Sequence, residues 1–255
     1  MILVKDVMTE NPVYVHASDL VTKVRSIMRD KGYRALPVLE QEKLIGIISR
    51  GDVLRVTSSK TNLLVEGIMN RNAVTTTPEK DLFSCTRKMI KAGIRQLPVV
   101  DDNKLVGIIS STDVLSAFVK NGYRSVKKKI NEIMTTDVIY CEQEDELSKI
   151  WDKMYTSGFS GFPVLKKGKV IGMITRSDIM KEGSVRLSKE SGRTKVVPVK
   201  RAIKTPAITT TGDSKIEDAA KIMTESKIIR LPVTDKEGHL LGIVDIEDVL
   251  RAYVG

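Results

Sequence analysis

The sequence repeats itself, and this repetition constrains the fold more than any other feature. When the chain is shifted by 61 residues against itself, residues 27–54 align with residues 88–115, and 15 of the 28 positions are identical. The same frame occurs four times: a Met, a Pro nine residues later, a Gly nine or ten residues after the Pro, and an acid six residues after the Gly. A unit of about 60 residues buries only about 60% of its unfolded surface, so we expect the repeats to pack in pairs.

Each repeat predicts a short strand, a helix, a β-hairpin and a second helix. In repeat four, the apolar residues Ile216, Ala219 and Met223 follow helical spacing. The hairpin strands are apolar runs rich in β-branched residues, as in residues 35–40 and 44–49. The predicted fold class is therefore α/β (α+β), with four β-α-β-β-α repeats arranged as two pairs. The prolines and glycines of the frame are Pro37, Pro98, Pro163, Pro232, Gly46, Gly107, Gly172 and Gly242.

Charge and the repeat frame together predict where each repeat and the basic loop begin and end. The segment from Lys181 to Lys204 has a net charge of +6 and contains several Gly and Ser residues, which is typical of a basic mobile loop. The stretch from Lys120 to Lys129 adds five basic residues, so the rest of this chain of net charge +10 is close to neutral. The predicted division is residues 1–60, 61–120, 121–181 and 200–255 for the four repeats, and 182–199 for the basic loop.

The repeats resemble the cystathionine β-synthase (CBS) domain along nearly the whole chain. The resemblance rests on the openings Val7-Met8-Thr9, Ile68-Met69 and Ile133-Met134-Thr135, the Leu-Pro-Val type strand, and the ending Gly-h-h-Ser/Thr-x-x-Asp, where h is apolar. It implies that neighbouring copies pack around pseudo-twofold axes and form clefts that often bind adenosine compounds. A chain with two such pairs is similar to the regulatory gamma subunit of AMP-activated protein kinase and its archaeal relatives, in which four copies make a flat disc.

A hydroxyl residue and an acid mark the start of the second helix in repeats one to three. The free N–H groups of a helix N-terminus suit a phosphate, and a carboxylate suits a ribose diol. The resemblance accordingly assigns the hydroxyls to phosphate and the acids to ribose, although the same spacing is also that of an ordinary capping box. The phosphate candidates are Ser49, Ser110 and Thr175, and the ribose candidates are Asp52, Asp113, Asp178 and Asp248.

Repeat four departs from this pattern because Asp245 stands where the other repeats have a hydroxyl. A carboxylate at this place would repel a phosphate. The cleft of repeat four is therefore predicted to be empty or to prefer a neutral or cationic ligand.

The resemblance also assigns roles to basic residues and to two threonines. The first further phosphate candidates are Arg34, Arg95 and Arg230, which precede the repeated prolines, and the second are Arg50 and Arg176. The alternative for these arginines is a solvated charge near a strand start. Thr9 and Thr135 follow the opening Met, where relatives contact the base, and the alternative for them is a role in a turn.

The chemistry in the sequence argues against an enzyme. His16, His239, Cys85 and Cys141 lie far apart, without the spacing of a catalytic triad or a metal site, and no phosphate-binding glycine loop occurs. The prediction is a regulatory protein that needs no cofactor or metal. It senses AMP, ADP or ATP as ligand and signals to an effector protein, through another chain or through a homodimer of discs.

Two other functions stay open at this point. One is a sensor of S-adenosylmethionine or NAD. The other is a nucleic-acid or polyanion binder using residues 181–204; because only 4% of the residues are aromatic, such binding should be weak, salt-dependent and sequence-blind. No run of 18 apolar residues occurs, so we predict a cytoplasmic protein without a membrane partner.

Overall fold

The computed structural model of the chain describes residues 1–56, 62–182 and 196–255. Contacts divide it into two compact units, residues 1–124 with 253–255, and residues 125–252. Most of the predicted basic loop, including residues 183–195, lies outside the described residues.

The predicted first helix, β-hairpin and second helix are confirmed in each repeat. The predicted short first strand forms in repeats one and three, whereas the described residues of repeats two and four show a single bridge there, at Thr76 and Thr210. The first helices are Val21–Lys31, Leu82–Ala92, Leu147–Ser157 and Ile216–Glu225. The hairpin strands are Ala35–Glu40 with Lys43–Ser49, Gln96–Asp101 with Lys104–Ser110, Gly161–Lys166 with Lys169–Thr175, and Arg230–Thr234 with Leu240–Asp245. The second helices are Arg50–Arg55, Ser111–Lys120, Arg176–Glu182 and Ile246–Val254.

Short elements complete the repeats. Each opening segment contains one turn of 3-10 helix, and the opening and first strands are two residues long where they form. The turns are Val4–Asp6, Val65–Gly67, Ile130–Glu132 and Val199–Arg201. The short strands are Thr9–Glu10, Val15–His16 and Cys141–Glu142.

The repeated methionines form part of the core, as the helical spacing predicts. Each of the four lies on the inner face of a first helix and is at most 2% exposed. In repeat one, Met28 packs in a cluster with Leu36 and Ile48 of the hairpin. In repeat three, Met154 packs likewise with Phe162 and Ile174. The apolar face of each first helix is therefore buried against its own hairpin. No helix in the described ranges is both long enough and apolar enough to span a membrane.

The opening segments are exchanged between the two repeats of each unit. In the first unit, Thr9 of repeat one pairs with Ile108 of repeat two, and Asn70 of repeat two pairs with Ile47 of repeat one. The second unit shows the same pairing, between Thr135 and Ile243 and between Lys204 and Met173. Each opening therefore lies against the second hairpin strand of the neighbouring repeat.

This exchange explains the repeated glycine. A Cβ atom on Gly172 would lie 2.6 Å from the carbonyl oxygen of Lys204, and one on Gly46 would lie 2.8 Å from the carbonyl oxygen of Asn70. Real Cβ atoms do not approach a backbone oxygen so closely. The frame requires Gly because the exchanged opening passes directly over the strand, not because the backbone takes an unusual conformation.

Candidate ligand clefts

The exchanged openings bring together residues that are far apart in sequence. Each cleft combines the opening of one repeat with the acid that follows the second hairpin strand of the other. We name each cleft by that acid. The pairings are Thr9 with Asp113, Asn70 with Asp52, Lys204 with Asp178, and Thr135 with Asp248.

The hydroxyl and the acid form a capping box in repeats one to three. In repeat two, Oδ2 of Asp113 accepts hydrogen bonds from the backbone N–H of Ser110 at 2.8 Å and from its hydroxyl at 2.6 Å. The N–H of Asp113 lies 3.4 Å from the same hydroxyl oxygen. Ser49 with Asp52, and Thr175 with Asp178, form the same pattern.

The capping box uses only one oxygen of each carboxylate. Within the described ranges, no group donates a hydrogen bond to Oδ1 of Asp113, and Oδ1 of Asp178 has Nζ of Lys204 at 3.9 Å. A carboxylate has lone pairs on both oxygens. The structural role and the ribose-binding role of these acids are therefore compatible, since a ribose hydroxyl can donate to the outer oxygen.

The start of each second helix leaves one backbone donor available in the described part of repeats one to three. The first N–H of the helix donates to the carbonyl oxygen of the residue just before the first hairpin strand. The pairs are Arg50 to Arg34, Ser111 to Arg95, and Arg176 to Ser160. The third N–H lies against the N-cap hydroxyl. The second N–H has no acceptor and is the group that a phosphate oxygen could use. It belongs to Gly51, Thr112 and Ser177.

An open cavity of about 580 Å³ lies between the second hairpin strand of repeat three and the opening of repeat four, the two segments that pair in the Asp178 cleft. Its volume falls within the usual range for small-molecule sites, about 300–1,000 Å³. Repeat three contributes the second hairpin strand, repeat four contributes its opening, and the repeat-four hairpin closes one side. The lining residues are Val170, Ile171, Thr205, Pro206, Ala207, Thr209, Thr234 and Gly238.

Asp178 and Lys204 join the same two repeats, although neither is among the residues that line the cavity. The side chain of Asp178 is 7% exposed, whereas that of Lys204 is 78% exposed and can move away from the carboxylate. Sequence reasoning identified Asp178 and Thr175, but it missed Thr205, Ala207 and the other wall residues. The repeat frame contained a signal that could have found them. Lys204 occupies the place of Thr9 and Thr135, so the residues that follow it are also candidates for the cleft.

Two of the arginine candidates bind backbone carbonyls. The guanidinium of Arg50 donates to the carbonyl oxygens of Gly32 at 2.9 Å and Tyr33 at 2.7 Å, at the end of the first helix. Arg176 donates to the carbonyl oxygen of Met154 in the same way. Burial lowers the pKa of both arginines. These hydrogen bonds link the end of the first helix to the start of the second. They place a cation at a helix C-terminus, where the helix dipole favours positive charge.

Replacing Arg50 with Ala should lower stability without weakening nucleotide binding. Charge-assisted hydrogen bonds contribute about 1.5–3 kcal/mol, so we expect a loss of that order in the free energy of unfolding. Urea denaturation measures the loss, and calorimetry with AMP measures the affinity. Arg29→Ala is the matched control, because this exposed arginine contacts Asp30 and Ser26 of its own helix and should change stability by less than about 1 kcal/mol. Unchanged stability with lost AMP affinity would instead place Arg50 on the phosphate.

The other three arginines differ in their surroundings. Arg34 is exposed and Arg95 is half-buried. Arg230 is largely buried, with Nε 3.1 Å from Oδ2 of Asp245 and Nη1 2.9 Å from the hydroxyl of Ser160.

The ionised carboxylate of Asp248 destabilises the folded state, and the size of this effect depends on pH. Burial and the nearby charge of Asp245 raise its pKa above the usual value near 3.8, although the N–H of Asp245 opposes this. The folded state therefore keeps the proton to a higher pH than the unfolded state, and this group removes stability as pH rises.

Asp248→Asn should therefore gain stability relative to the original chain as pH rises from about 4 to 7. The gain begins near the unfolded pKa, increases through the raised folded pKa, and is constant once the carboxyl is ionised in both states. Urea denaturation at several pH values measures the difference. A difference between the two proteins that does not change over this range contradicts the assignment.

The two cysteines and His239 are among the remaining reactive groups that the sequence singled out. Burial raises the pKa of the Cys85 thiol to about 11 and that of Cys141 to about 12, so both are protonated at neutral pH. His239 lies in the repeat-four hairpin turn, with Nδ1 3.0 Å from Oδ2 of Asp235. None of these groups is among the residues that line the cavity.

Comparisons with known proteins agree with the repeat frame. The CBS domain family matches four segments of the chain: residues 4–59, 65–120, 130–184 and 199–255. The uncharacterized protein MJ1225 of Methanocaldococcus jannaschii is 30% identical over 192 residues, covering 70% of this chain and 69% of that protein. MJ1404 of the same organism is 29% identical over 261 residues, covering 97% of this chain and 61% of its own length.

Solved structures show the same architecture. The crystal structure of MJ1225, a protein proposed to be an archaeal homolog of g-AMPK, matches with a TM-score of 0.84 and 24% identity, covering 98% of this chain and 99% of that chain. An uncharacterized conserved protein from Pyrococcus horikoshii matches with a TM-score of 0.72 and 23% identity over 99% and 100% of the two chains. Pairs of CBS domains are regulatory ligand-binding modules. With four copies over most of its length, the chain belongs to the CBS domain family.

Proposed function

We propose that this protein is a regulatory sensor that binds an adenine nucleotide in clefts between paired CBS repeats and signals to a partner protein. The cavity at the Asp178 cleft carries this proposal. It has a suitable volume and lies between two repeats, and the opening that lines it also carries Lys204, whose Nζ lies 3.9 Å from the nearly buried carboxylate of Asp178.

Different residues of the Asp178 cleft can bind the base, the ribose and the phosphates of AMP, ADP or ATP. Val170, Ile171 and Ala207 offer apolar surface to a purine base. Asp178 can accept hydrogen bonds from the ribose hydroxyls. The free N–H at the helix start can donate to a phosphate, and the hydroxyl of Thr175 can do so once it releases Oδ2 of Asp178.

A ligand in this cleft would contact both repeats of the unit. Its binding would favour one relative orientation of those repeats over others, and a partner that prefers this orientation would respond to the ligand. This arrangement requires no bond to be broken or formed. The protein thus acts as a regulator rather than an enzyme, and the nucleotide is its ligand rather than a cofactor.

Calorimetry on ligand-free protein tests the proposal with a panel of AMP, ADP, ATP, S-adenosylmethionine and NAD. We expect at least one adenine nucleotide to bind, and a ligand at 100 times its Kd to add roughly 2.7 kcal/mol to the free energy of unfolding. Selective binding of S-adenosylmethionine or NAD would change the ligand class. Protein that binds no member of the panel would refute the sensor function.

A further inference from the structure

In repeat four, a carboxylate of the protein occupies the place that a phosphate would take. Asp245 is the residue before the second helix, Ile246–Val254. Its Oδ1 accepts a hydrogen bond from the N–H of Glu247 at 3.1 Å. This N–H corresponds to the donors of Gly51, Thr112 and Ser177, which have no acceptor in the described parts of the other repeats. The helix start of repeat four is therefore already bound to an anion.

Arg230 completes this internal anion site. Its Nε donates to Oδ2 of Asp245 at 3.1 Å, and the two side chains are only 13% and 19% exposed. A second nitrogen of the guanidinium lies 2.9 Å from the hydroxyl of Ser160. Two donors that could have held a phosphate thus hold Asp245, in a partly buried place where such a pair is stronger than on an open surface.

The ribose acid of the same cleft lies beside this carboxylate. Oδ2 of Asp248 accepts a hydrogen bond from the N–H of Asp245 at 2.8 Å. An incoming phosphate would meet the negative charges of Asp245 and Asp248, with its donors already occupied. Burial and the charge of Asp245 also raise the pKa of Asp248, which shows that a further negative charge is unfavourable here. A ligand without negative charge would avoid this repulsion, and a cationic one would be attracted.

The remainder of the cleft resembles its counterparts. The backbone of Thr135 pairs with Ile243 through two hydrogen bonds of 2.9 Å, so the exchanged opening is in place. We propose that the Asp248 cleft excludes phosphate and takes an adenosine-type nucleoside whose 5′ group is neutral or cationic. This inference rests on the proposed function, since it gives one cleft a different ligand class from the others.

The variant Asp245→Ser tests the inference because it restores the pattern of the other repeats. Isothermal titration of the whole chain with AMP should give one more binding site than the original protein, and adding Asp248→Ala should remove that site. Asp245→Asn removes the charge with almost no change of shape and covers the case in which the Ser variant fails to fold. Asp235→Asn is the control, since it removes a negative charge from the repeat-four hairpin turn and should leave the number of sites unchanged.

Adenosine serves as the uncharged probe and S-adenosylmethionine as the cationic one. At least one should bind the original chain, and Asp248→Ala should weaken that binding at least tenfold. The inference is overturned if AMP binds the original chain but neither Asp245 variant gains a site. If AMP, adenosine and S-adenosylmethionine all fail to bind any of these proteins, the proposed function is overturned together with it.

Discussion

Replacing Gly172 with Ala should destabilise the second unit and weaken nucleotide binding at the Asp178 cleft. The new Cβ would lie 2.6 Å from the carbonyl oxygen of Lys204 and 3.3 Å from the methyl carbon of Thr205. The nearest atom belongs to the backbone and cannot rotate away, so the opening of repeat four must shift. Overpacking of this kind costs about 1–3 kcal/mol.

The shift should also disturb the ligand. Lys204 pairs with Met173 of the strand, and Thr205 lines the cavity. We expect nucleotide affinity to fall by about tenfold, equivalent to roughly 1.4 kcal/mol. Chemical denaturation and calorimetry on the same protein measure both effects.

Gly212→Ala is the matched control for this experiment. Gly212 lies in the same repeat as the disturbed opening, and its added Cβ would meet its nearest neighbour at 3.4 Å, an ordinary contact. We expect this change to leave both stability and affinity close to the original values. If Gly172→Ala behaves as this control does, the exchanged opening does not depend on the missing side chain.

Asp178→Ala should lower nucleotide affinity by about 10- to 100-fold. Hydrogen bonds to a charged group contribute about 1.5–3 kcal/mol, and every 1.4 kcal/mol is a factor of ten in Kd. The same change removes the carboxylate that accepts from the N–H and hydroxyl of Thr175, so stability should fall by about 1 kcal/mol. Calorimetry and denaturation together separate the two losses.

Two further variants separate binding from capping. Asp178→Asn keeps an oxygen for the N–H of Thr175 but replaces the outer oxygen with an amide, so it should lose affinity while retaining most of the stability. Asp145→Ala removes a carboxylate of the same repeat that accepts from the N–H of Glu142 at 2.9 Å and lies before the first helix rather than at the start of the second. It should lower stability without lowering affinity. Equal affinity in Asp178→Ala and the original chain would exclude Asp178 from the binding site.

The sequence predicted the elements of each repeat correctly because they depend on local patterns. Helical spacing around Met223 and the apolar run around Pro232 are read within one repeat. The step from Pro to Gly is ten residues in repeat four, and the additional residue lies in the hairpin turn, residues 235–239. Gly32, Gly93 and Gly158 end the first helices in the left-handed region, another local signal.

Arginines show where a local pattern is insufficient. Arg50 and Arg34 both stand near strand or helix starts, and both were phosphate candidates. Arg50 binds the carbonyls at the end of the first helix, 17 and 18 residues away in sequence, a contact that its position did not predict. Which acceptor a long flexible side chain reaches depends on the packing of helix against helix, and no spacing within the sequence encodes that.

By itself, the sequence determined that the chain contains four CBS repeats, that each folds as a helix–hairpin–helix unit, and that an acid and usually a hydroxyl start each second helix. These features depend on residues within one repeat. Only the tertiary structure decided which opening faces which acid, that Lys204 reaches Asp178, and that Asp245 satisfies the donors of its own cleft. The reason is physical: these contacts arise when an opening crosses to the neighbouring repeat, and that crossing is possible because Gly172 and its counterparts leave room for a second backbone.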